Sequence, residues 1–160
     1  MDPRRITSYA VASVLLAIAF IVPANAIGAS SFTLDFPAGE ACSFALEVSG
    51  TGGNNSVHHA GNGMIVSGGT GSALTFSGNG NSVSFPSNGG AMLTRTNPDG
   101  SYTFQTTGHN VLILFPTDNP AGPSTTLIVG RATVSVSADG TYTVQSLSGR
   151  QVDVCARLAS

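Results

Sequence analysis

Three histidines and one aspartate are the side chains whose types and positions could support acid–base or metal chemistry in this sequence. His58 and His59 are adjacent, in Asn54-Asn-Ser-Val-His-His-Ala. Neighbouring residues of a strand point to opposite faces, so these two imidazoles could share a metal ion only from an irregular loop. We expect exposed loop histidines beside a turn, and we predict no metal site and no cofactor.

His109 and Asp118 flank the most apolar segment of the chain. His109 lies just before Val111–Phe115, and Asp118 follows that segment. An extended strand rises roughly 3.3 Å per residue, which would hold the two side chains about 30 Å apart. The sequence also lacks a Gly-x-Ser-x-Gly elbow, a marked carboxylate pair and a phosphate-binding loop. We therefore predict a non-catalytic protein, and the alternative is a secreted hydrolase that uses His109 or Asp118.

The loop of residues 116–123 contains three prolines in eight residues. A stiff polar loop at the end of a central strand is a plausible place for partner contact. A rigid crossover between two sheets is the other interpretation, and we favour it. The residues that would form the contact surface are Pro116, Thr117, Asp118, Asn119, Pro120 and Pro123.

Cys42 and Cys155 are the only cysteines. In an exported chain a single pair is most simply one disulfide. This bridge would close nearly the whole exported chain, and the chain-entropy model gives a stabilisation of about 4–5 kcal/mol for such a loop. Lipid attachment at Cys42 is disfavoured because no apolar run precedes it, and the absence of Cys-x-x-Cys disfavours redox or zinc chemistry.

Residues 1–26 have the three parts of an export signal. Arg4 and Arg5 form the positive region, Tyr9 to Val22 the apolar core, and Pro23-Ala-Asn-Ala26 the small-residue cleavage site. We place the cleavage between Ala26 and Ile27 and predict secretion to the extracellular space. A membrane span needs about 20 apolar residues, and Pro23 ends this run earlier. The paired arginines leave twin-arginine export as an alternative to ordinary secretion.

Residues 27–160 are predicted to form one domain. Gly, Ser, Thr and Asn make up nearly half of them, which excludes a helical bundle, a coiled coil and a doubly wound nucleotide-binding domain. Seven acidic residues stand against four scattered arginines, with no lysine. Because phosphate neutralisation needs clustered cations, we expect no nucleic-acid partner and no membrane association after cleavage.

Apolar residues alternate with polar ones in several segments, which predicts half-buried antiparallel strands. Val111–Phe115 is apolar at five consecutive positions and is the candidate central strand, buried on both faces. Hairpin turns are predicted at Asn97–Gly100 and Ala138–Gly140. The alternating segments are Cys42–Val48, Tyr102–Phe104, Ala132–Val136 and Tyr142–Val144.

Three Asn-Gly pairs separate short apolar segments between Gly50 and Gly90, which predicts a meander of short strands. In total about nine or ten short strands are expected, typical of an antiparallel β-sandwich, with a small β-barrel as the alternative. No helix is predicted. Cys155 alternates with polar residues and not with Val152 and Val154, so it should lie at a bulge or at the rim of the sandwich.

Three stretches resemble a group of small secreted proteins of actinobacteria. They are Phe36-Pro-Ala-Gly-Glu-Ala-Cys42-Ser-Phe44, the run from Thr107-Gly-His-Asn through Phe115-Pro-Thr-Asp to Thr126, and the terminal Cys155. The resemblance implies secretion and a Cys42–Cys155 pair, and it implies no activity. It covers about half of the exported chain, and the middle departs into a richer Gly/Asn composition.

These observations together predict a monomeric extracellular module with a binding or structural role. Cell-wall polysaccharide or another extracellular protein is the expected partner class. Tyr102 and Tyr142 are the tyrosines that could stack on a sugar, and the absence of tryptophan weakens that possibility.

Overall fold

The computed structural model describes residues 31–86 and 88–160, so the predicted export signal and its cleavage site between Ala26 and Ile27 lie outside the described residues. Ten strands and one short helix follow one another along the chain. In order they are β1 (Ser31–Phe36), β2 (Leu46–Thr51), β3 (Asn55–Gly61), β4 (Met64–Gly69), β5 (Ala73–Gly78), β6 (Asn81–Phe85), β7 (Gly90–Thr96), β8 (Tyr102–Leu114), β9 (Ser124–Val136), β10 (Tyr142–Asp153) and α1 (Val154–Ala159).

The strands form two antiparallel sheets. The smaller sheet has the order β1-β2-β5-β6, and the larger has the order β10-β9-β8-β7-β4-β3. The prediction of an antiparallel β-sandwich is confirmed, and over the described residues neither sheet closes into a barrel. The strands are not all short, however, because β8 and β9 each have 13 residues and β10 has 12.

The short strands predicted between Gly50 and Gly90 do not form one continuous meander. Its strands exist, but the hairpin of β3 and β4 belongs to the larger sheet and that of β5 and β6 to the smaller one. Asn62-Gly63 and Asn79-Gly80 close these hairpins with positive φ at all four residues, the conformation that a two-residue type I′ turn requires. The predicted turns at Asn97–Gly100 and Ala138–Gly140 also join paired strands.

A row of glycines crosses the larger sheet at its middle. Gly90 pairs with Gly108, Gly108 with Gly130, and Gly130 with Gly149. Gly108 has a φ of 86°, a conformation that side chains rarely adopt. A Cβ atom there would lie 2.7 Å from the carbonyl oxygen of Gly89. The absence of side chains therefore allows neighbouring backbones to approach closely along this row.

The larger sheet folds over itself at the glycine row. Asp118, just beyond the end of β8, accepts a hydrogen bond from Tyr142 N. Tyr142 lies opposite Val136, which in turn pairs with Tyr102 at the start of β8. A straight strand from Tyr102 to Leu114 would be about 40 Å long, too far for the next four residues to span back. The two halves of the sheet must therefore face each other.

Two apolar cores result from this bend. The first lies between the smaller sheet and the half of the larger sheet that includes Ile113, and the second contains Leu112 and Leu114 together with Phe104 on the other side of the bend. The prediction that both faces of Val111–Phe115 have apolar surroundings is thus confirmed. The prediction that this segment is a central strand is wrong, because β7 pairs with β8 only as far as Gly108 and Phe115 lies beyond the end of β8. Other buried members of the first core are Ala41, Cys42, Leu46, Val48, Phe76, Leu127, Val152, Val154 and Leu158; those of the second are Ile128, Ala132, Val134, Val136 and Tyr142.

Two sequence-based boundaries are wrong. The strand expected from Cys42 starts only at Leu46, because residues 38–44 form turns and bends that carry Cys42 into the first core. No helix was predicted at the C-terminus, yet α1 begins after Asp153, whose carboxylate caps it by accepting from Ala156 N at 2.9 Å. The spacing of Val154 and Leu158 places both on the buried face of this helix.

The disulfide between Cys42 and Cys155 is present, with a Cα–Cα distance of 5.6 Å. Cys155 occupies the first turn of α1, so a helix, and not the bulge suggested from the sequence, changes its orientation relative to Val152. The bridge ties α1 to the segment that follows β1, across 113 residues of chain. The pairing predicted from the cysteine count is confirmed.

Candidate functional site

A cavity of about 170 Å³ lies between the two sheets. The smaller sheet contributes apolar side chains from all four of its strands, and the larger sheet contributes residues of β7, β8 and β9. Among the lining side chains are Phe32, Leu34, Val48, Leu74, Phe85, Met92, Phe104, Val111, Leu112, Leu127, Ile128 and Ala132. The wall is therefore mostly aliphatic and aromatic, as is usual for small-molecule sites.

The cavity forms where the chain crosses from the smaller sheet to the larger one. β7 begins at Gly90, opposite Gly108. Beyond Gly108, β8 continues to Leu114 with β9 as its only strand partner in the described part of the chain. This half of β8 therefore has one edge without a neighbouring strand, and residues from both faces of β8 reach the cavity, Thr106 and Leu112 on one face and Val111 on the other.

Two buried polar atoms of residues that line the cavity have no hydrogen-bond partner among the described residues. They are Thr106 Oγ1 and His109 Nδ1, both buried. The Thr106 residue is only 6% exposed. Buried polar atoms are nearly always hydrogen-bonded in folded proteins, so two orphans in one wall single out this place in the molecule.

The other polar side chains of the wall have donors that are already engaged. Ser72 Oγ donates to Gly52 O at 3.0 Å, and Asn110 Nδ2 donates to Thr107 O at 3.1 Å. Asn88 Nδ2 donates to Pro86 O at 3.3 Å. Ser72, Asn88 and Asn110 thus donate to backbone carbonyl oxygens. Thr106 Oγ1 and His109 Nδ1 have no such partner among the described residues.

Charged side chains do not line the cavity in the parts of the chain that the structure describes. His109 is the only titratable residue of the wall. Among the described residues, Pro86 and Asn88 are the only exposed ones that line the cavity, so the cavity meets solvent on their side.

Asp118, proposed from the sequence as a contact or catalytic residue, is 6% exposed and does not line the cavity. Its Oδ2 accepts from Phe115 N at 2.6 Å and its Oδ1 from Tyr142 N at 2.8 Å. Oδ2 therefore closes the turn that follows β8, and Oδ1 holds the loop against β10. The structure does not place Asp118 and His109 in one site.

The loop of residues 116–123 joins β8 and β9, which are neighbours in one sheet, so the crossover between two sheets favoured from the sequence is wrong. The loop instead folds onto the start of β10. Asn119 N donates to Tyr142 O and Val144 N donates to Asn119 O, both at 2.8 Å. The loop residues that remain exposed are Pro116, Thr117, Asn119, Pro120, Ala121 and Pro123.

His58 and His59 lie on strand β3 and not in a loop, and they are exposed as expected. They pair with Val66 and Ile65 of β4, so their side chains point to opposite faces of the sheet. Within residues 31–86 and 88–160, no group of three His, Cys, Asp or Glu side chains lies close enough to hold a metal ion.

Tyr142 cannot act as a stacking platform for a sugar. It is 7% exposed, and its ring meets that of Phe104 edge-on at 6.0 Å between centroids. Tyr102 is half-buried, with its ring centroid 6.4 Å from that of Phe104. Of the two tyrosines proposed to stack on a sugar, only Tyr102 therefore keeps an accessible surface.

Sequence reasoning missed Thr106 and the cavity itself. One signal was present, because Tyr102, Phe104 and Thr106 share a strand face on which Thr106 is the polar exception. The cavity could not be inferred, since its wall combines residues from seven strands whose sheet assignment depends on the crossings after β2, β4 and β6.

Fold and site together define an antiparallel β-sandwich with one disulfide and a small apolar cavity between its sheets. The chain matches no protein-family model, no curated protein and no solved structure. In the described residues, no helix has the length and apolar character needed to cross a membrane. The disulfide is compatible with an extracellular protein.

Proposed function

We propose that this chain is an exported, non-catalytic, monomeric binding protein whose ligand occupies the cavity between the two sheets. The observation that carries the proposal is the cavity of about 170 Å³ with its apolar wall. An engineered apolar cavity of about 150 Å³ in another protein stays dry and binds benzene or xenon. An apolar space of comparable size therefore provides enough contact area to bind a small molecule.

Export is supported by the leader of residues 1–26 and by the resemblance to secreted actinobacterial proteins. The single disulfide fits an oxidising compartment, where such bonds persist. If export proceeds as proposed, the intact mass of the protein from culture medium corresponds to a chain that starts at Ile27. A chain retained in the cell with residues 1–26 attached would contradict this part of the proposal.

The absence of catalysis is supported by the roles of the two candidate residues. Asp118 uses both carboxylate oxygens to bind backbone N–H groups, and His109 is the only titratable group of the described wall. A hydrolytic site needs a nucleophile or activated water beside a general base. Turnover in a hydrolase panel that is lost in His109→Ala would instead establish the enzyme alternative.

Binding in the cavity is tested with toluene and with xenon, two apolar probes of suitable size. Calorimetry on the purified oxidised protein should show saturable toluene binding. At a free concentration ten times its Kd, the ligand raises the free energy of unfolding by about 1.4 kcal/mol. Xenon should give a bound ¹²⁹Xe resonance. The absence of both signals would refute the proposal.

Variants that fill the cavity provide the matched control. Leu74→Phe and Ala132→Leu add volume at two lining positions in different sheets, so each should weaken toluene binding. Val57→Leu adds one methylene at an exposed position of β3, outside the wall, and should leave binding unchanged. Equal affinities in all three variants would place the ligand elsewhere.

Surface contact with cell-wall polysaccharide or another extracellular protein is a second candidate role. It is favoured by the six exposed residues of the loop 116–123, which Asp118 and Asn119 hold in place on β10. Cosedimentation with purified wall polysaccharide tests one form of it. Retention that is lost in a Thr117→Lys/Pro120→Ala variant would support the loop, and no retention would remove polysaccharide as the partner.

A further inference from the structure

Most polar residues of the cavity wall lie at its mouth. Gly89 N donates to Thr70 O at 2.7 Å, and His109 N donates to Gly89 O at 3.0 Å. These bonds join the connection between β4 and β5, the connection between β6 and β7, and the second half of β8. The same three segments carry the polar lining residues Ser72, Asn88 and Asn110. Behind this end, the space is lined mainly by aliphatic and aromatic side chains.

The charge of the wall limits what the cavity can hold. In the described parts of the chain, no lysine, arginine, aspartate or glutamate lines it. Ser72, Asn88 and Asn110 each donate to a backbone carbonyl oxygen of the protein. An ammonium or carboxylate group inside would lose its hydration without gaining a full counter-charge, and such a transfer is strongly unfavourable. The wall accordingly selects a neutral molecule that is held by apolar contact.

The wall is also part of the two packed cores. Val48 and Leu127 are buried members of the first core, and Leu112, Ile128 and Ala132 are buried members of the second. Extra volume forced into a packed core displaces side chains from their preferred rotamers, which is unfavourable. The wall therefore sets an upper limit on the size of a bound molecule.

The volume of the cavity gives this limit. About 170 Å³ exceeds only slightly the roughly 150 Å³ of an apolar cavity that binds benzene in another protein. Sites for drug-sized ligands run from roughly 300 to 1,000 Å³. A single six-membered ring with a small substituent fits the cavity, whereas sterols and hydrocarbons of four fused rings are too large.

We infer that the cavity binds one compact, uncharged, apolar molecule of the size of a single substituted ring, and that it excludes both ions and larger hydrocarbons. The inference rests on the proposed function, since it requires that the cavity is a ligand site. It adds the chemical class of the ligand and the cause of the selection, which is an uncharged wall fixed in size by the two cores.

Toluene and pyrene test the limit on size. Apolar transfer alone favours the larger hydrocarbon, because it removes more apolar surface from water. The wall should reverse this order, so pyrene should associate about tenfold more weakly than toluene, or not at all. Calorimetry measures toluene, and pyrene fluorescence measures pyrene in the presence and absence of toluene. Pyrene that binds as tightly as toluene and is displaced by it would overturn the inference.

Ethylbenzene and benzylammonium test the exclusion of ions, because they have the same number of non-hydrogen atoms and nearly the same shape. At pH 7 the association constant of benzylammonium should be lower by about a hundredfold or more. Calorimetry on the purified oxidised protein gives both constants. Comparable constants would show that the cavity accepts a charged group, and the inference would fail.

A variant that enlarges the wall tests the cause of the selection. Leu74→Ala removes a lining side chain that packs against the first core. The ratio of the association constants of naphthalene and toluene should rise by about tenfold, since the added space accepts the second ring. Leu147→Ala is the matched control, because Leu147 packs against the second core but does not line the cavity. Its ratio should equal that of the unchanged protein.

The outcomes separate the inference from the proposed function. An unchanged ratio in Leu74→Ala, or an equal rise in both variants, would overturn the inference and leave the cavity as a binding site. If neither toluene nor ethylbenzene binds the unchanged protein, the proposed function fails as well. The pyrene and benzylammonium measurements use the unchanged protein, so they test the inference even if a variant does not fold.

Discussion

Asp118 Oδ1 accepts a hydrogen bond of 2.8 Å from Tyr142 N, which joins the segment after β8 to the start of β10. The other oxygen of the carboxylate accepts from Phe115 N. A residue that first suggests chemistry is therefore a buried link between the two ends of a folded sheet. This link holds closed the bend that places Thr106 and His109 in the cavity wall.

Removal of this carboxylate should destabilise the protein. Asp118→Ala leaves two backbone N–H groups without their charged acceptor, and we expect a loss of about 2–4 kcal/mol in the free energy of unfolding. Asp118→Asn should cost less, because its amide oxygen can still accept one bond. Urea denaturation measures both. Asp99→Ala, in the exposed turn between β7 and β8, is the control, and an equal loss there would contradict the assigned role.

The glycine row should be intolerant of side chains. Gly108→Ala combines a positive φ with a Cβ atom that would lie 2.7 Å from Gly89 O, whereas Gly80→Ala meets only the positive φ. The conformational cost is about 1–2 kcal/mol for a left-handed residue, so Gly80→Ala should lose that much and Gly108→Ala clearly more. Urea midpoints provide the comparison. Equal losses would show that the close backbone approach at Gly108 is unimportant.

The disulfide should contribute much of the stability of the fold. Because the bridge spans 113 residues, the chain-entropy model predicts a loss of about 4–5 kcal/mol in a Cys42→Ala/Cys155→Ala variant. Thermal and urea denaturation measure the loss. Reduction of the unchanged protein should add the mass of about two hydrogens, and free thiols before reduction would contradict the pairing.

The hairpin turns that precede β8 and β10 should make the free energy of unfolding depend slightly on pH in the acidic range. Hydrogen bonds from Ser101 and Ser137, respectively, hold the pKa of Asp99 and that of Asp139 below the ordinary value of 3.8. A lowered pKa means that the folded state favours the ionised carboxylate. The stabilisation is therefore present above about pH 4 and is lost as the pH falls through the folded-state values.

Ser101→Ala and Ser137→Ala test this dependence, because each removes the donor and keeps the carboxylate. Both carboxylates are fully exposed, so the effect is small and is best followed as the slope of the urea midpoint between pH 5 and about pH 2. The slope should be shallower in the double variant. An unchanged slope would mean that these turns do not contribute to acid sensitivity.

Much of the architecture could be predicted from local signals. Alternation and turn chemistry identified the strands around Tyr102, Ala132 and Tyr142, and the cysteine count identified the bridge. Two other features depend on contacts distant in sequence. The segment after Asp153 has a cap and a helical spacing, but its short Val152/Val154 alternation also fits a strand, and only packing against the first core selects the helix.

The candidate site was predictable only in part. His109 was identified by its residue type and by its place before the apolar strand, yet in the structure it lines the cavity, as Thr106 does, and Asp118 does not. The glycine row explains the difference. A straight β8 would separate the two halves of the strand, and the bend at Gly108 depends on pairing with Gly90 and Gly130, which no local pattern encodes.

The hairpin of β3 and β4 contributes no residue to the buried part of either core, and every residue of β3 is exposed. Its turn, Asn62-Gly63, lies at the far edge of the larger sheet from β10. For protein engineering this makes the hairpin a natural insertion point. A peptide grafted between Asn62 and Gly63 would be displayed on a disulfide-closed scaffold without disturbing the side chains that hold the scaffold together.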